Sequence, residues 1–196
     1  MRNVLTMHLA REMGQYASRT QYVDLYLNEA YQGIYVLMEK IKRDKDRVDV
    51  AKLRAVDIAG DELTGGYIFK IDKDEADWFS NFNVFQEVRR LEYQLVYPDI
   101  EDVQPEQFAY IQSYVDSFER AMVSPSLTFG GKSYEDYIDV TSFIEAHLLN
   151  EIGRNVDGYR LSSYFHKKKD SNGGKIFAGP VWDLSLIHIS EPTRPY

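Results

Sequence analysis

Cysteine is absent from this 196-residue chain. That excludes a disulfide scaffold, a thiolate metal site and a cysteine nucleophile, and it leaves the compartment open. No apolar run approaches the roughly 20 residues that a membrane-spanning helix needs. The first residues, Met1-Arg2-Asn3-Val4-Leu5, lack the apolar stretch of a signal peptide. Positive charge is scarce: 23 Lys and Arg stand against 31 Asp and Glu, a net charge of −8. That balance disfavours non-specific binding to nucleic acid or to an anionic membrane. Repeats, linkers and low-complexity tracts are missing as well. What is present is an ordinary globular mixture, 44% hydrophobic and 28% charged, long enough for one domain with a real core. Aromatics are abundant, with 15 Tyr and 10 Phe. They point to a sheet-rich core or an aromatic-lined groove.

Local patterns predict mixed structure. Asn3 to Met13 has apolar residues at helical spacing, and Gly14 suits its end. Thr20–Leu27 and Tyr31–Met38 alternate around the polar Asn28-Glu29-Ala30, which predicts a β-hairpin. Glu39 to Lys52 is charge-dense and reads as a short helix or a solvated loop. Strands are expected at Tyr67–Ile71 and Glu92–Tyr97. Pro105 opens a long helix with Phe108, Ile111, Val115, Phe118 and Met122 on one face. A second helix is expected from Val140 to Ile152, capped by Asp139 or by a Ser142/Glu145 capping box. A strand from Leu161 to His166, a basic turn from Lys167 to Gly174 and a strand from Ile176 to Trp182 complete the pattern. Early hairpins and later helices make the class α+β.

Two carboxylates stand out. Asp157 precedes Gly158 in a turn between helix and strand, where it can accept a proton from an incoming hydroxyl. Asp183 ends the apolar run Gly179-Pro180-Val181-Trp182, where an acid can hold a divalent cation through oxygen. A hairpin between them can bring them together. By spacing alone, a turn former and a solvated strand end are the plainer account of them. Glu39 is either a strand-end acid in solvent or an anchor for a lysine on the nucleotide side. Lys70 reads as a lysine on the wet face of a strand, or as one that reaches phosphates. Lys167 to Lys169 reads as a solvated hairpin tip, although an ATP clamp would look similar. Lys40, Lys42, Arg43, Lys45 and Arg47 alternate with acids, as an exposed face does. His8, His147 and His166 lack metal-ligand spacing. The tyrosine-rich strands suit sheet packing as well as a carbohydrate groove.

Several motifs in collinear order resemble the CotH kinase family of spore-coat proteins. They are Arg2-Asn3-Val4-Leu5 with Leu9 to Gly14, then Tyr22 to Asn28 with Tyr31-Gln32-Gly33-Ile34-Tyr35 and Glu39. Asn155 to Arg160 and Gly179-Pro180-Val181-Trp182-Asp183 follow. The resemblance implies an atypical protein-kinase-like fold of the secreted Fam20 type. It also implies transfer of the γ-phosphoryl group of ATP to Ser or Thr of a protein, with Mg²⁺ or Mn²⁺. By position it makes Asp157 the catalytic acid and Asp183 a metal ligand. Ser163, or its neighbour Ser162, stands where many relatives carry an Asn as second metal ligand. Glu39 and Lys70 fall on the cofactor side. A coat or surface protein is the implied substrate, at the cell surface, outside the cell or in a bacterial spore coat. The alternative from the same resemblance is a catalytically silent module for coat or surface assembly. A third reading, a glycoside-acting enzyme, would use Asp157 and Asp183 as a carboxylate pair. Leu184 to Arg194 matches a translated sequencing adapter, and Pro195-Tyr196 continues it. Residues 1–183 are therefore expected to be a partial kinase-like domain, truncated at both ends and inactive as it stands. Residues 184–196 are expected to be a non-native tail, so His188, Ser190 and Glu191 carry no weight.

Overall fold

The computed structural model describes residues 2–73, 76–83, 90–155 and 157–184. Helix α1 (Arg2–Glu12) leads into strands β1 (Thr20–Leu27) and β2 (Ala30–Met38), then a short helix α2 (Gly60–Leu63). Strands β3 (Tyr67–Ile71), β4 (Trp78–Asn83) and β5 (Arg90–Tyr97) precede the long helix α3 (Pro105–Val123). A small hairpin, β6 (Thr128–Phe129) and β7 (Lys132–Ser133), is followed by helices α4 (Tyr134–Tyr137) and α5 (Val140–Gly153). Strands β8 (Ser163–Lys167) and β9 (Ile176–Ala178) come last. The class is α+β, as expected.

The β1–β2 hairpin forms its own two-stranded sheet, turning at Asn28-Glu29 with both residues at positive φ. The other main strands form one antiparallel sheet in the order β4-β5-β3-β8-β9. β3 sits at its centre and is nearly buried on both faces. Alternation sends Phe69 and Ile71 one way and Ile68 and Lys70 the other. On the first face Phe69, Trp78 and Tyr93 pack against Ile111 and Val115 of α3 and against Tyr137 and Ile138. The rings are in contact: Trp78 and Tyr93 lie 5.0 Å apart and nearly parallel, and Phe69 and Phe165 are 5.5 Å apart. On the second face Ile68 packs with Ile41, Val48 and Val50. This explains why the charge-dense stretch after Glu39 is a covering loop and no helix. A turn closes it, with the Arg47 amide donating to the Asp44 carbonyl at 3.0 Å, and its apolar residues serve the sheet. A third cluster joins Met7 and Ala10 of α1 to Leu149 of α5, Val181 and Leu184. Leu184 is buried, and its amide donates to Asn3 Oδ1 at 2.9 Å; residues 185–196 of the adapter-like tail lie outside the described residues.

Four expectations need correction. The cap of α5 is Asp139, whose carboxylate accepts from the Ser142 amide at 2.8 Å. There is no Ser142/Glu145 box, because Glu145 accepts instead from Gln15 Nε2 at 2.6 Å. The last strand stops at Ala178, since Gly179 adopts φ 112 and Pro180 has no amide to donate. Strand β4 escaped the sequence reading because Ser80 and Asn81 interrupt its apolar alternation, although Ser80 is buried.

Lys167, placed in solvent by sequence, is fully buried. Its ammonium lies 4.2 Å from the centre of the Tyr114 ring and 5.4 Å from that of Tyr110. It donates to the Thr64 carbonyl at 2.5 Å and to Asp170 at 3.2 Å, and desolvation pushes its pKa down to about 8. The neighbouring turn is fastened to the segment before β3. Ser171 donates to Asp61 through its amide at 2.9 Å and its hydroxyl at 2.6 Å, and Lys169 pairs with Glu62. A Cβ on Gly65 would lie 2.1 Å from the Lys169 nitrogen, so only glycine permits that approach.

Removing the central ring should show where the core sits. Phe69→Ala is expected to cost about 3–5 kcal/mol. Phe79→Ala, exposed on β4, should change stability by about 0.5 kcal/mol or less. Urea unfolding at constant m-value measures both.

Candidate functional site

The site is built on the β8–β9 hairpin. Phe165 pairs with Ala178, His166 with Phe177 and Lys167 with Ile176, so residues 168–175 close one end. The other end is open. The chain enters there through residues 157–162, which carry Asp157, and leaves through residues 179–183, which carry Asp183; neither acid lines the cleft between them. Between the two segments lies a cleft of about 170 Å³, with Asn150, Asn155, Ser162, Ser163, Val181 and Trp182 on its walls.

The entering segment is pinned to the end of α5. Arg154 takes a left-handed conformation and stops the helix. The Asn155 amide donates to the Asn150 carbonyl, and Asn155 Nδ2 to Asn150 Oδ1, both at 2.9 Å. The amides of Gly158 and Leu161 then donate to the carbonyls of Asn155 (3.2 Å) and Asp157 (3.0 Å). A Cβ on Gly158 would sit 2.4 Å from Asn150 Oδ1, so the turn carrying Asp157 needs glycine for space. Tyr159 braces the same turn, with its hydroxyl 2.7 Å from His147 Nδ1 and 3.0 Å from Glu151. The Asp157 carboxylate is partly exposed, and one oxygen accepts from Arg160 Nη2 at 2.5 Å. That contact fixes the orientation of the carboxylate.

The leaving segment is held differently. Gly179 donates its amide to the Tyr164 carbonyl at 2.8 Å, and its own carbonyl faces His166 Nδ1 at 3.1 Å. His166 stacks on Phe177 at 5.3 Å, and desolvation pushes its pKa down to about 4. Trp182 packs edge-on against Tyr164 at 6.3 Å. Asp183 is exposed and has φ 47.

The remaining residues named from sequence fall nearby to different degrees. Ser163 is on the cleft wall, and its hydroxyl donates to the Leu161 carbonyl at 3.2 Å. Lys70 lies opposite Tyr164 in the β3–β8 register, 6.0 Å from its ring centre and 2.9 Å from Asp72. Glu39 follows Met38, which packs in the cluster with Trp182 and Leu184. Its partners are Arg19 at 2.5 Å and Arg47 at 3.5 Å, and not a lysine. The Arg19 guanidinium holds its pKa down at about 2. Among the described residues no three His, Asp or Glu gather into a metal-binding group. Sequence reading missed Arg160, Arg19 and Asn150 as partners. Arg160 was visible as a cation three residues after the acid, but nothing in the sequence tied Asn150 to Gly158.

A family model described as CotH kinase protein matches residues 1–188 of the chain. No curated protein matches it significantly.

Two outcomes follow from the geometry. Gly158→Ala should destabilise the fold by about 1–3 kcal/mol. Asn150→Ala should relieve part of that clash, so the double variant will be less destabilised than the sum of the single ones, as thermal or urea unfolding will show. His166 binds its proton less readily folded (about 4) than unfolded (6.5). The stability it supports is complete above pH 6.5 and is lost as pH falls through 4. His166→Asn should flatten the dependence of Tm on pH within that window.

Proposed function

This chain belongs to the CotH kinase family and has a kinase-like α+β fold, and from that membership we propose that it serves transfer of the ATP γ-phosphoryl group to a protein serine or threonine. The observation that supports this reading is the shared open end of β8 and β9. Phosphoryl transfer demands mostly positioning and charge neutralisation, which two separately mounted carboxylates can supply. In this reading Asp157 accepts the hydroxyl proton with its free oxygen, while Arg160 keeps the other oxygen in place.

Asp183 and Ser163 would hold Mg²⁺ or Mn²⁺. The donor set suits such ions in kind, being oxygen only. One carboxylate and a hydroxyl match a cation carried mostly by nucleotide phosphates and water. When bound, the ion supplies countercharge for the phosphates. Lys70 adds a positive charge beside Tyr164, and Glu39 organises Arg19 and Arg47 on the nucleotide side. The family points to a coat or surface protein as acceptor and to a spore-coat or extracellular setting.

A silent assembly module is the second reading. Ser163 favours it, because its hydroxyl already donates to Leu161 and binds metal more weakly than a carboxamide oxygen. One set of measurements separates the two. The protein, purified with any natural sequence that flanks residues 1–183, is incubated with Mg²⁺ and γ-labelled ATP, and its own phosphorylation and that of an added protein are followed. A kinase loses about 10²-fold or more in rate with Asp157→Asn while Mg-ATP still raises Tm. Asp183→Asn removes both the rate and the Tm rise. Equal labelling by wild type and the double variant ends the kinase reading. A wild type that Mg-ATP does not stabilise supports the silent module.

A further inference from the structure

A second cavity, of about 290 Å³, lies on the sheet face opposite Lys70 and Tyr164, between the sheet and helices α3 and α5. Its walls are almost entirely carbon, with Phe69, Phe118, Phe143 and Phe165 among them. Met122 and Val123 on the last turn of α3 line it and are well exposed, which marks the mouth. Among the described residues Glu119 is the one acidic or basic side chain on its walls. Its Oε1 accepts from the Tyr93 hydroxyl at 3.0 Å, Ser80 also hydrogen-bonds the carboxyl, and burial raises its pKa. Native cores leave few voids larger than a water molecule, so an open apolar space of this size has the character of a binding pocket.

We propose that this cavity is a binding site for a small, neutral, two-ring aromatic molecule that carries an N–H group directed at Glu119. Size argues for the rings. An apolar cavity of about 150 Å³ already takes up benzene, so this one admits two fused rings. Charge argues for the head group. A carboxylate has about four lone-pair sites, so beyond the Tyr93 and Ser80 donors it still offers an acceptor to an N–H, and it repels an anion. The site does not depend on the phosphotransfer reading. It touches the other site all the same, because Phe143 and Phe165 also line the cleft walled by Ser163 and Trp182. An occupant therefore presses on the strand that carries Ser163.

The test uses the full chain, calorimetric titration and thermal shift, with indole as probe. Indene has the same shape without the N–H, and indole-3-acetate adds a negative charge. Saturable binding of indole is expected, at least threefold tighter than indene, with indole-3-acetate excluded. Met122→Trp, at an exposed position, should plug the mouth and weaken indole at least tenfold. Val115→Phe should do the same from inside. Glu119→Met should bring indole and indene to equal affinity. Absence of saturable binding by folded protein up to millimolar probe overturns the proposal. So does indole binding unchanged in Met122→Trp, or indene binding as tightly as indole to the wild type.

Discussion

The antiparallel pairing of β8 with β9 is the constraint from which the candidate site follows. A hairpin has one closed end and one open end, and the chain before the first strand and after the second both depart from the open one. Asp157 and Asp183 are 26 residues apart in sequence but belong to the same end of one motif. The pairing of β8 with the buried strand β3 then ties the hairpin to the core, and the register sets Tyr164 opposite Lys70. Geometry at the site is thus inherited from backbone hydrogen bonds and not from direct contacts between the functional groups.

The two ends of this hairpin are treated in opposite ways. The closed end is fastened by charge and hydrogen bonds: Lys167 between two tyrosine rings, Lys169 on Glu62, Ser171 on Asp61. Burying an ammonium is costly unless it is paired and hydrogen-bonded, and Lys167 has both Asp170 and the Thr64 carbonyl. The open end carries its acids on short irregular segments with left-handed residues at Arg154, Tyr159, Ser162 and Asp183. Such backbone states are uncommon outside glycine and cluster where a chain must aim a side chain. A rigid anchor at one end and specially shaped segments at the other is a sensible division for a site of this kind.

Much of this was legible in the residues. The hairpin of β1 and β2, the strand β3 and the helices α3 and α5 could be read because alternation, helical spacing and end signals all agreed. Asp139 was a visible cap. Other features were hidden for physical reasons. Lys167 looks solvated because its rescue comes from Tyr110, Tyr114 and Thr64, all more than fifty residues away. The cap of α5 was ambiguous because Ser142 and Glu145 imitate a box, while Glu145 is taken by Gln15 from the far side of the fold. β4 was lost because a buried serine breaks its pattern. Glu39 was singled out, but of its arginine partners only Arg19, across the β1–β2 hairpin, was within reach of local pattern; Arg47 comes from the covering loop.

The β1–β2 hairpin carries a different consequence. Tyr22, Leu25, Tyr26, Leu27, Tyr31, Ile34, Tyr35 and Leu37 are all exposed on it, and its only charges are Asp24 and Glu29. No lysine or arginine guards its two outer edges, which among the described residues pair with no further strand. Edges of that kind accept strands from neighbouring molecules. Self-association that grows with concentration, and is relieved by grafting basic residues onto β1 or β2, is therefore written into the part of the molecule farthest in character from its charged centre.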